Sequence, residues 1–360
     1  MMSAGKKFRP INILLMLAFC FLLLNLIADS AFAAEMKNVK FGWIAATGVP
    51  TLFIAQDKGF FAEEGIECKI ETITAGSSMV VEVVASGQLD MGQTGSSTIM
   101  LAIEKGVPIR LIGTFEYQFI DKKGRAWDTV ALVCKAEDDY KKLGDLKGKK
   151  IAVNDFGSMY NYYLRYQLRK HGINPDRDVM IISIPFSHML GAIIKKQVDA
   201  AVMLTYTHKE IPLKVIMEGT KLQDMDIDGT AVIGVNEKFA KTHPDLVVKF
   251  LKAAIKSSNF IAKDIKENNG EFLKSSVQKW LKYKPEFLEN WYTHRAYHGE
   301  ECDFVNPIQV PWSIIPKLSE ILVMEKFLNK PLTPEKVIDN SFIKKAYNEL
   351  GLKWDDTKGR

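Results

Sequence analysis

Cysteine is scarce in this 360-residue chain: Cys20, Cys68, Cys134 and Cys302 are the four, and none stands in CxxC spacing. That pattern supports neither a disulfide framework nor a zinc site. Also absent are the GxSxG nucleophile turn, the HExxH zinc helix and the Walker-type phosphate loop. With them go the common signatures of hydrolases, metalloproteases and nucleotide-hydrolysing enzymes. Charge of one sign is missing too. The 48 Lys and Arg against 43 Asp and Glu leave +5, and the signs alternate along the chain, so no basic stripe offers itself to a nucleic acid. One apolar run stands out, residues 11–27, after Lys6, Lys7 and Arg9 and before Ala31-Phe32-Ala33. Its basic, apolar and small-residue order predicts a cleavable secretory signal over residues 1–33. The run falls slightly short of the roughly 20 residues of a spanning helix, and bulky Phe19 before Cys20 argues against a lipid-modified cysteine. Without the signal the net charge drops to about +3. The expected product is a soluble exported protein whose three remaining cysteines are buried or idle.

What the sequence has is an alternation of strands and helices. Residues 39–46 (VKFGWIAA) alternate as a strand, and 51–61 have helical spacing up to a stop at Gly59. Strands are predicted at 67–73, 89–93 and 109–115, with helices at 79–86 and 98–105. Short connections between such elements imply an α/β fold with a mainly parallel sheet. The unit then recurs at a constant offset: Ser78 meets Ser187, Gln88 meets Gln197, Asp90 meets Asp199 and Gly48 meets Gly157. Two lobes of similar design follow. Apolar strands at 129–135 and 230–235 flank the second unit, so the chain crosses over near residue 135 and returns near 229. The predicted organisation is a signal at 1–33, lobe 1 at 34–134 and 230–360, and lobe 2 at 135–229. From Pro244 onward the pattern is helical (245–263, 272–280, 314–329, 334–350), and these helices are expected to cover lobe 1.

No constellation for bond chemistry emerges, and no catalytic residue, metal ligand or cofactor is predicted. His294 and His298 have helical i,i+4 spacing but lack an intervening Glu and a third ligand, so they read as exposed polar residues. Asp138-Asp139 and Glu300-Glu301 read as solvated surface. What remains is a set of turns at the C-terminal ends of predicted strands. They are Thr47-Gly48-Val49-Pro50-Thr51, Thr74-Ala75-Gly76-Ser77-Ser78, Gln93-Thr94-Gly95-Ser96-Ser97, Asn154-Asp155-Phe156-Gly157-Ser158, Phe186-Ser187-His188 and Thr205-Tyr206-Thr207. In open α/β sheets ligands bind off that edge, where helix starts present unpaired N–H groups and a positive dipole end. Each Ser or Thr alone is an ordinary helix cap; six such turns on two lobes describe a cleft. Trp43, Phe115, Tyr117, Phe156, Tyr160 and Tyr206 stand beside them, suited to a half-wet pocket wall. Arg110, Arg125 and Arg165 are candidates to add a charge, each read first as surface.

The order KFGWIAATGVPTLFIAQDKGFFAEEGIECKI, ASGQLDMGQTGSS, DLKGKKIAVNDFGS and KKQVDAAVML, spanning residues 37–205, resembles the periplasmic substrate-binding proteins of ABC importers for alkanesulfonates, taurine, nitrate and thiamine-pyrimidine precursors. The resemblance implies a two-lobed periplasmic-binding-protein fold of type II with two crossover strands, closing over a ligand. It implies ligand contacts from Gly48 and Val49, Gly76-Ser77-Ser78, Gly95-Ser96, Gly157-Ser158 and Thr205-Tyr206. Trp43, Thr94, Tyr117, Phe156, Ser187 and His188 join them from the reading of the turns. The segment before Thr205 lacks the Trp-Glu-Pro type of stretch common in relatives, and residues 119–128 look longer than usual. The expected function is a monomeric solute-binding subunit that hands a small organic anion, sulfonate- or taurine-like ahead of nitrate, to a membrane permease and its ATPase. A pyrimidine-precursor binder or related enzyme, and a periplasmic sensor, are the alternatives.

Overall fold

Strands and helices follow one another much as the periodicity implies. A computed structural model describes residues 36–44, 49–115, 118–119, 130–204, 212–218, 227–228, 231–285, 288–289, 292, 310 and 312–354. The signal at 1–33, Gly48, Tyr117, Arg125, Thr205, Tyr206, His294, His298 and Cys302 lie outside the described residues. β1 (Lys37–Ile44) leads to α1 (Pro50–Asp57) and α2 (Phe60–Glu63). β2 (Ile66–Ile73), α3 (Ser77–Ala85), β3 (Met91–Thr94), α4 (Ser96–Glu104) and β4 (Ile109–Thr114) complete the first unit. After β5 (Gln118–Phe119) and β6 (Val130–Lys135) come β7 (Lys150–Val153), α5 (Met159–Lys170), β8 (Met180–Ser183), α6 (Phe186–Ile194), β9 (Ala200–Leu204) and β10 (Leu213–Glu218). The chain continues through β11 (Ile227–Asp228), β12 (Val232–Asn236), α7 (Glu237–Thr242), α8 (Pro244–Asn268), α9 (Glu271–Leu281), α10 (Ile314–Met324), α11 (Pro334–Val337) and α12 (Ser341–Glu349).

Two five-stranded sheets result, in the orders β2-β1-β3-β12-β4 and β10-β6-β9-β7-β8. Taken from its other edge, the second sheet runs β8-β7-β9-β6-β10 and repeats the first. In each, the fourth strand is antiparallel to both neighbours: β12 to β3 and β4, β6 to β9 and β10. The strands before it run parallel, β1 with β3 in one case and β7 with β8 and β9 in the other. The offset seen in the sequence carries over to the backbone. β3 begins at Met91 and β9 at Ala200; α3 begins at Ser77 and α6 at Phe186. The two connections between the sheets pair as a short antiparallel ribbon, β5 with β11.

The matched acids turn out to be structural. Asp90 accepts the Lys40 backbone N–H at 2.8 Å, and Asp199 accepts that of Lys150 at 2.9 Å. Each sits just before its strand, at the edge opposite the candidate turns, and ties it to its neighbour. The KGFF and EEGI stretches also serve the scaffold. Gly59 and Gly65 take left-handed backbone (φ +75° and +72°), where a side chain would be strained. Phe61 stacks on Phe250 of α8, which stacks in turn on Phe41 of β1. Glu64 lies between Lys252 and Lys256 of α8, at 2.8 and 2.7 Å. Burial pushes its carboxyl up, but hydrogen bonds from the two lysines outweigh that and hold it below the ordinary value. α8 thereby covers the first sheet, as expected of the C-terminal helices.

The helical spacing over 51–61 stops at Gly59 as expected, because that residue's left-handed conformation cannot continue a helix. Two elements depart from the periodicity. The expected helix over 334–350 splits, because Ile338 is extended and bridges Leu111 of β4, with the Asp339 N–H donating to the Leu111 carbonyl at 2.8 Å. Edge pairing wins there over helix propensity. β10 was not foreseen: its half-buried residues give no clean alternation.

Candidate functional site

Four helices begin at the turns singled out above: α3 after Gly76, α4 after Gly95, α5 after Ser158 and α6 after Pro185. None receives a side-chain cap from its own N-cap residue. Their first N–H groups must find partners elsewhere. At α3 the partner comes from the second lobe. The Ser78 N–H donates to Asp155 Oδ2 at 2.8 Å, and the Ser78 hydroxyl donates to Asp155 Oδ1 at 3.1 Å. Oδ1 also accepts the Gly157 N–H at 2.9 Å. Asp155 is 8% exposed, so its carboxylate is desolvated and repaid by three donors and the positive end of α3.

A second strand of contacts runs alongside. The Thr98 and Ser97 hydroxyls of α4 donate to the Gly157 carbonyl at 2.9 and 3.4 Å. Thr94 at the end of β3 donates its hydroxyl to the Ser77 carbonyl at 3.3 Å, joining the two first-lobe turns. On the second-lobe side, the Ser158 hydroxyl donates to Asn154 Oδ1 at 2.7 Å and the Asn161 amide to the Phe156 carbonyl at 2.8 Å. The glycines are there for clearance. A Cβ on Gly157 would sit 2.2 Å from the Ser78 oxygen, and one on Gly76 3.1 Å from the Asp155 Cβ. Gly76 in addition has φ +92°.

Gly76, Ser77, Ser78, Thr94, Gly95, Ser96, Gly157 and Ser158 thus gather in one region where the lobes meet. Other candidates go elsewhere. Val49 is fully buried and caps α1 through its carbonyl. Trp43 is 6% exposed and packs edge-on against Phe53 at 5.2 Å. Ser187 and His188 are exposed at the start of α6, their side chains 3.4 Å apart, outside the hydrogen-bonded cluster. Phe156 is 55% exposed. Arg110 pairs with Glu237 at 3.4 Å, and Arg165 with Glu325 and Asp176, so neither serves the turns. Cys68 and Cys134 are buried unpaired thiols in different sheets. Thr98 lies outside the six turns, and Asn154 and Asp155 stand in one of them without being singled out as contacts. Asp155 had a signal: it is the one carboxylate in the six turns.

Beside the contact lies a groove of about 580 Å³, walled by Val81, Ala85, Leu101, Phe156, Tyr162 and Phe327. Ala85 stands at the far end of α3, so the groove runs back along the helices and away from the strand ends. Ser78, Thr98 and Gly157 line it too, so it opens directly on the lobe contact. Among the described residues no helix is long and apolar enough to cross a membrane.

Residues 47–267 match the family described as NMT1/THI5 like. The chain belongs to that family. It is 28% identical over 245 residues to the bicarbonate transport ATP-binding protein CmpC of Synechocystis, covering 63% of this chain and 36% of CmpC; it therefore spans about a third of that relative's length. It is 27% identical over 265 residues to the 4-amino-5-hydroxymethyl-2-methylpyrimidine phosphate synthase THI11 of Saccharomyces cerevisiae, covering 68% and 70% of the two chains. In three dimensions it superposes on the alkanesulfonate-binding protein SsuA of Xanthomonas axonopodis, solved with MOPS bound, with a TM-score of 0.66 at 16% identity over 85% of this chain and 100% of that one. The two-sheet architecture of this NMT1/THI5-like chain is the periplasmic-binding-protein fold expected from the sequence. The family holds both binding proteins and synthases.

Proposed function

We propose that the chain is an exported solute-binding subunit of an ABC importer, a monomer that captures a small organic anion between its lobes and delivers it to a permease and ATPase. The observation that carries this reading is at α3. Its first turn already holds a carboxylate from the facing lobe, with donors at 2.8 and 3.1 Å, so it has the geometry an oxyanion requires. A sulfonate- or taurine-like ligand ranks ahead of nitrate, because apolar and aromatic groups lie beside the donors. Bicarbonate transport and alkanesulfonate binding, named for the two relatives above, support the anionic class. The proposed site takes in Gly76-Ser77-Ser78, Thr94-Gly95-Ser96 and Gly157-Ser158 of the expected contacts. Binding shifts an open–closed equilibrium about the two connections.

The synthase reading draws on THI11. It would need a reactive His with cysteines nearby. His188 is exposed, but Cys68 and Cys134 are buried in β2 and β6, and burial pushes the Cys68 thiol far up. Binding is the better-supported chemistry.

A thermal-shift panel of taurine, alkanesulfonates, nitrate, bicarbonate and aromatic acids tests the proposal: one class should raise Tm by linkage. Replacing Ser77 and Ser78 together by Ala should then weaken that anion's binding by about 1–3 kcal/mol. A flat panel removes the anion reading, and unchanged affinity in the double variant moves the site away from α3.

A further inference from the structure

The groove beside the lobe contact has the build of a small-molecule pocket. Its floor is a face shared by two helices, with Val81 and Ala85 one turn apart on α3 and Leu101 and Ala102 on α4. The two alanines leave the space open, and its volume of about 580 Å³ lies in the usual range of ligand sites. Rings stand at the sides. Phe156 is 55% exposed and Phe327 41%, so two large apolar groups are left open to solvent along one groove. Both are held in place. The Phe156 carbonyl accepts the Asn161 amide at 2.8 Å, and Phe327 meets the Tyr162 ring at 4.8 Å and 62°.

Tyr162 supplies the polar feature. It lines the groove and is 2% exposed, yet its hydroxyl makes no hydrogen bond among the described residues. A phenol buried so deeply normally has a partner. Burial pushes its pKa far up and the Asp155 carboxylate adds to that, so the hydroxyl keeps its proton and can donate. Among the described residues, the charges lining the groove are Glu82 and Lys105, both exposed and opposite in sign, so nothing there favours an ion. We propose that this groove binds a neutral aromatic molecule bearing a hydrogen-bond acceptor, with the Tyr162 hydroxyl donating to the acceptor and Phe156 and Phe327 flanking the ring. The occupant carries no charge, so this site does not depend on the anion reading.

Acetophenone and ethylbenzene are matched probes of similar size, and only the ketone has an acceptor. Saturation-transfer NMR titrations should show both binding to the wild-type protein. Tyr162→Phe keeps the ring and removes only the hydroxyl. It should weaken acetophenone about five-fold, the scale of one neutral hydrogen bond, and leave ethylbenzene within about two-fold of wild type. A structural role for the hydroxyl would not separate the two probes. Ala85→Leu fills the floor and should weaken both about ten-fold or more, whereas Ala85→Ser, one atom larger than alanine, should bind both as wild type does. Absence of binding by either probe to wild type overturns the site. So does an unchanged ketone affinity in Tyr162→Phe, an equal loss of ketone and hydrocarbon in that variant, or full binding in Ala85→Leu.

Discussion

The two lobes share a plan and differ in how they use it. At matching positions α3 and α6 both start just beyond a strand end, but their surroundings diverge. In lobe 1, Gly76 and Ser77 are buried and the helix start holds a carboxylate; in lobe 2, Ser187 and His188 stand exposed. The cores diverge in the same sense. Lobe 1 is backed by α8 and a stack of Phe41, Phe250 and Phe61. One face of the second sheet is closed by α6 over a small cluster of Ala131, Ala152, Met189, Ala192, Ile193 and Ala201. Repeated backbone therefore sets where helices begin, while the residues opposite decide which start finds a partner.

Core truncation should separate the lobes most. Phe250→Ala removes a fully buried ring from two aromatic contacts and should cost about 3–5 kcal/mol in urea unfolding. Met189→Ala, also fully buried but in a small cluster with four alanines and no buried ring, should cost nearer about 2 kcal/mol. Equal losses would show that the two cores are packed alike.

The next effect concerns the tie between α5 and the C-terminal helices. The Glu325 carboxylate, fully buried, accepts Arg165 Nε at 2.9 Å and Arg169 Nε. Glu325→Gln leaves two cations facing a neutral amide and should cost about 2–3 kcal/mol by thermal denaturation. A loss below about 0.5 kcal/mol would mean that lobe 2 is held by apolar packing alone.

Smallest are the paired acids, where the comparison is sharpest. Asp199 accepts both the Lys150 N–H and the Tyr140 hydroxyl through its two oxygens, so Asp199→Asn should cost about 1–2 kcal/mol. Asp90→Asn should change stability by less than about 0.5 kcal/mol at neutral pH, since one acceptor suffices for the Lys40 N–H. Burial raises the Asp90 pKa above its ordinary value, so its favourable contribution is present at low pH and fades as pH rises through the folded value. Glu64 behaves oppositely. Its lowered pKa adds stability above about pH 4.5 that is lost as pH falls. Urea midpoints from pH 3 to 8, on the order of one point per unit, should show Glu64→Gln with the shallower acid limb and Asp90→Asn gaining relative to wild type toward neutral pH.

Much of the fold was legible because burial periodicity is local and the unit occurs twice. Met91 and Ala200 open equivalent strands, and Asp90 and Asp199 show the same offset in the bare sequence. The break at Ile338 was harder, because it depends on an edge strand far away in the chain. In the site, the serine and glycine turns could be found from strand–turn–helix order. The role of Asp155 could not, since its partner Ser78 is 77 residues distant and only the stacking of one lobe on the other brings them together. Trp43 illustrates the converse: its polar-turn neighbourhood in the sequence says nothing about Phe53, against which its ring is packed.

The exchanged fourth strands have a consequence for how the molecule can be divided. β12 lies between β3 and β4 although it follows the whole second unit in the chain, and β6 lies between β9 and β10 although it precedes that unit. A fragment ending after β4 would leave two inner strand edges bare, with the Gly92 and Gly113 backbones facing solvent where Gly234 and Ile233 now sit. Neither half is a self-sufficient module. Proteolysis or truncation within either connection should therefore expose sticky sheet edges and favour strand swapping between copies.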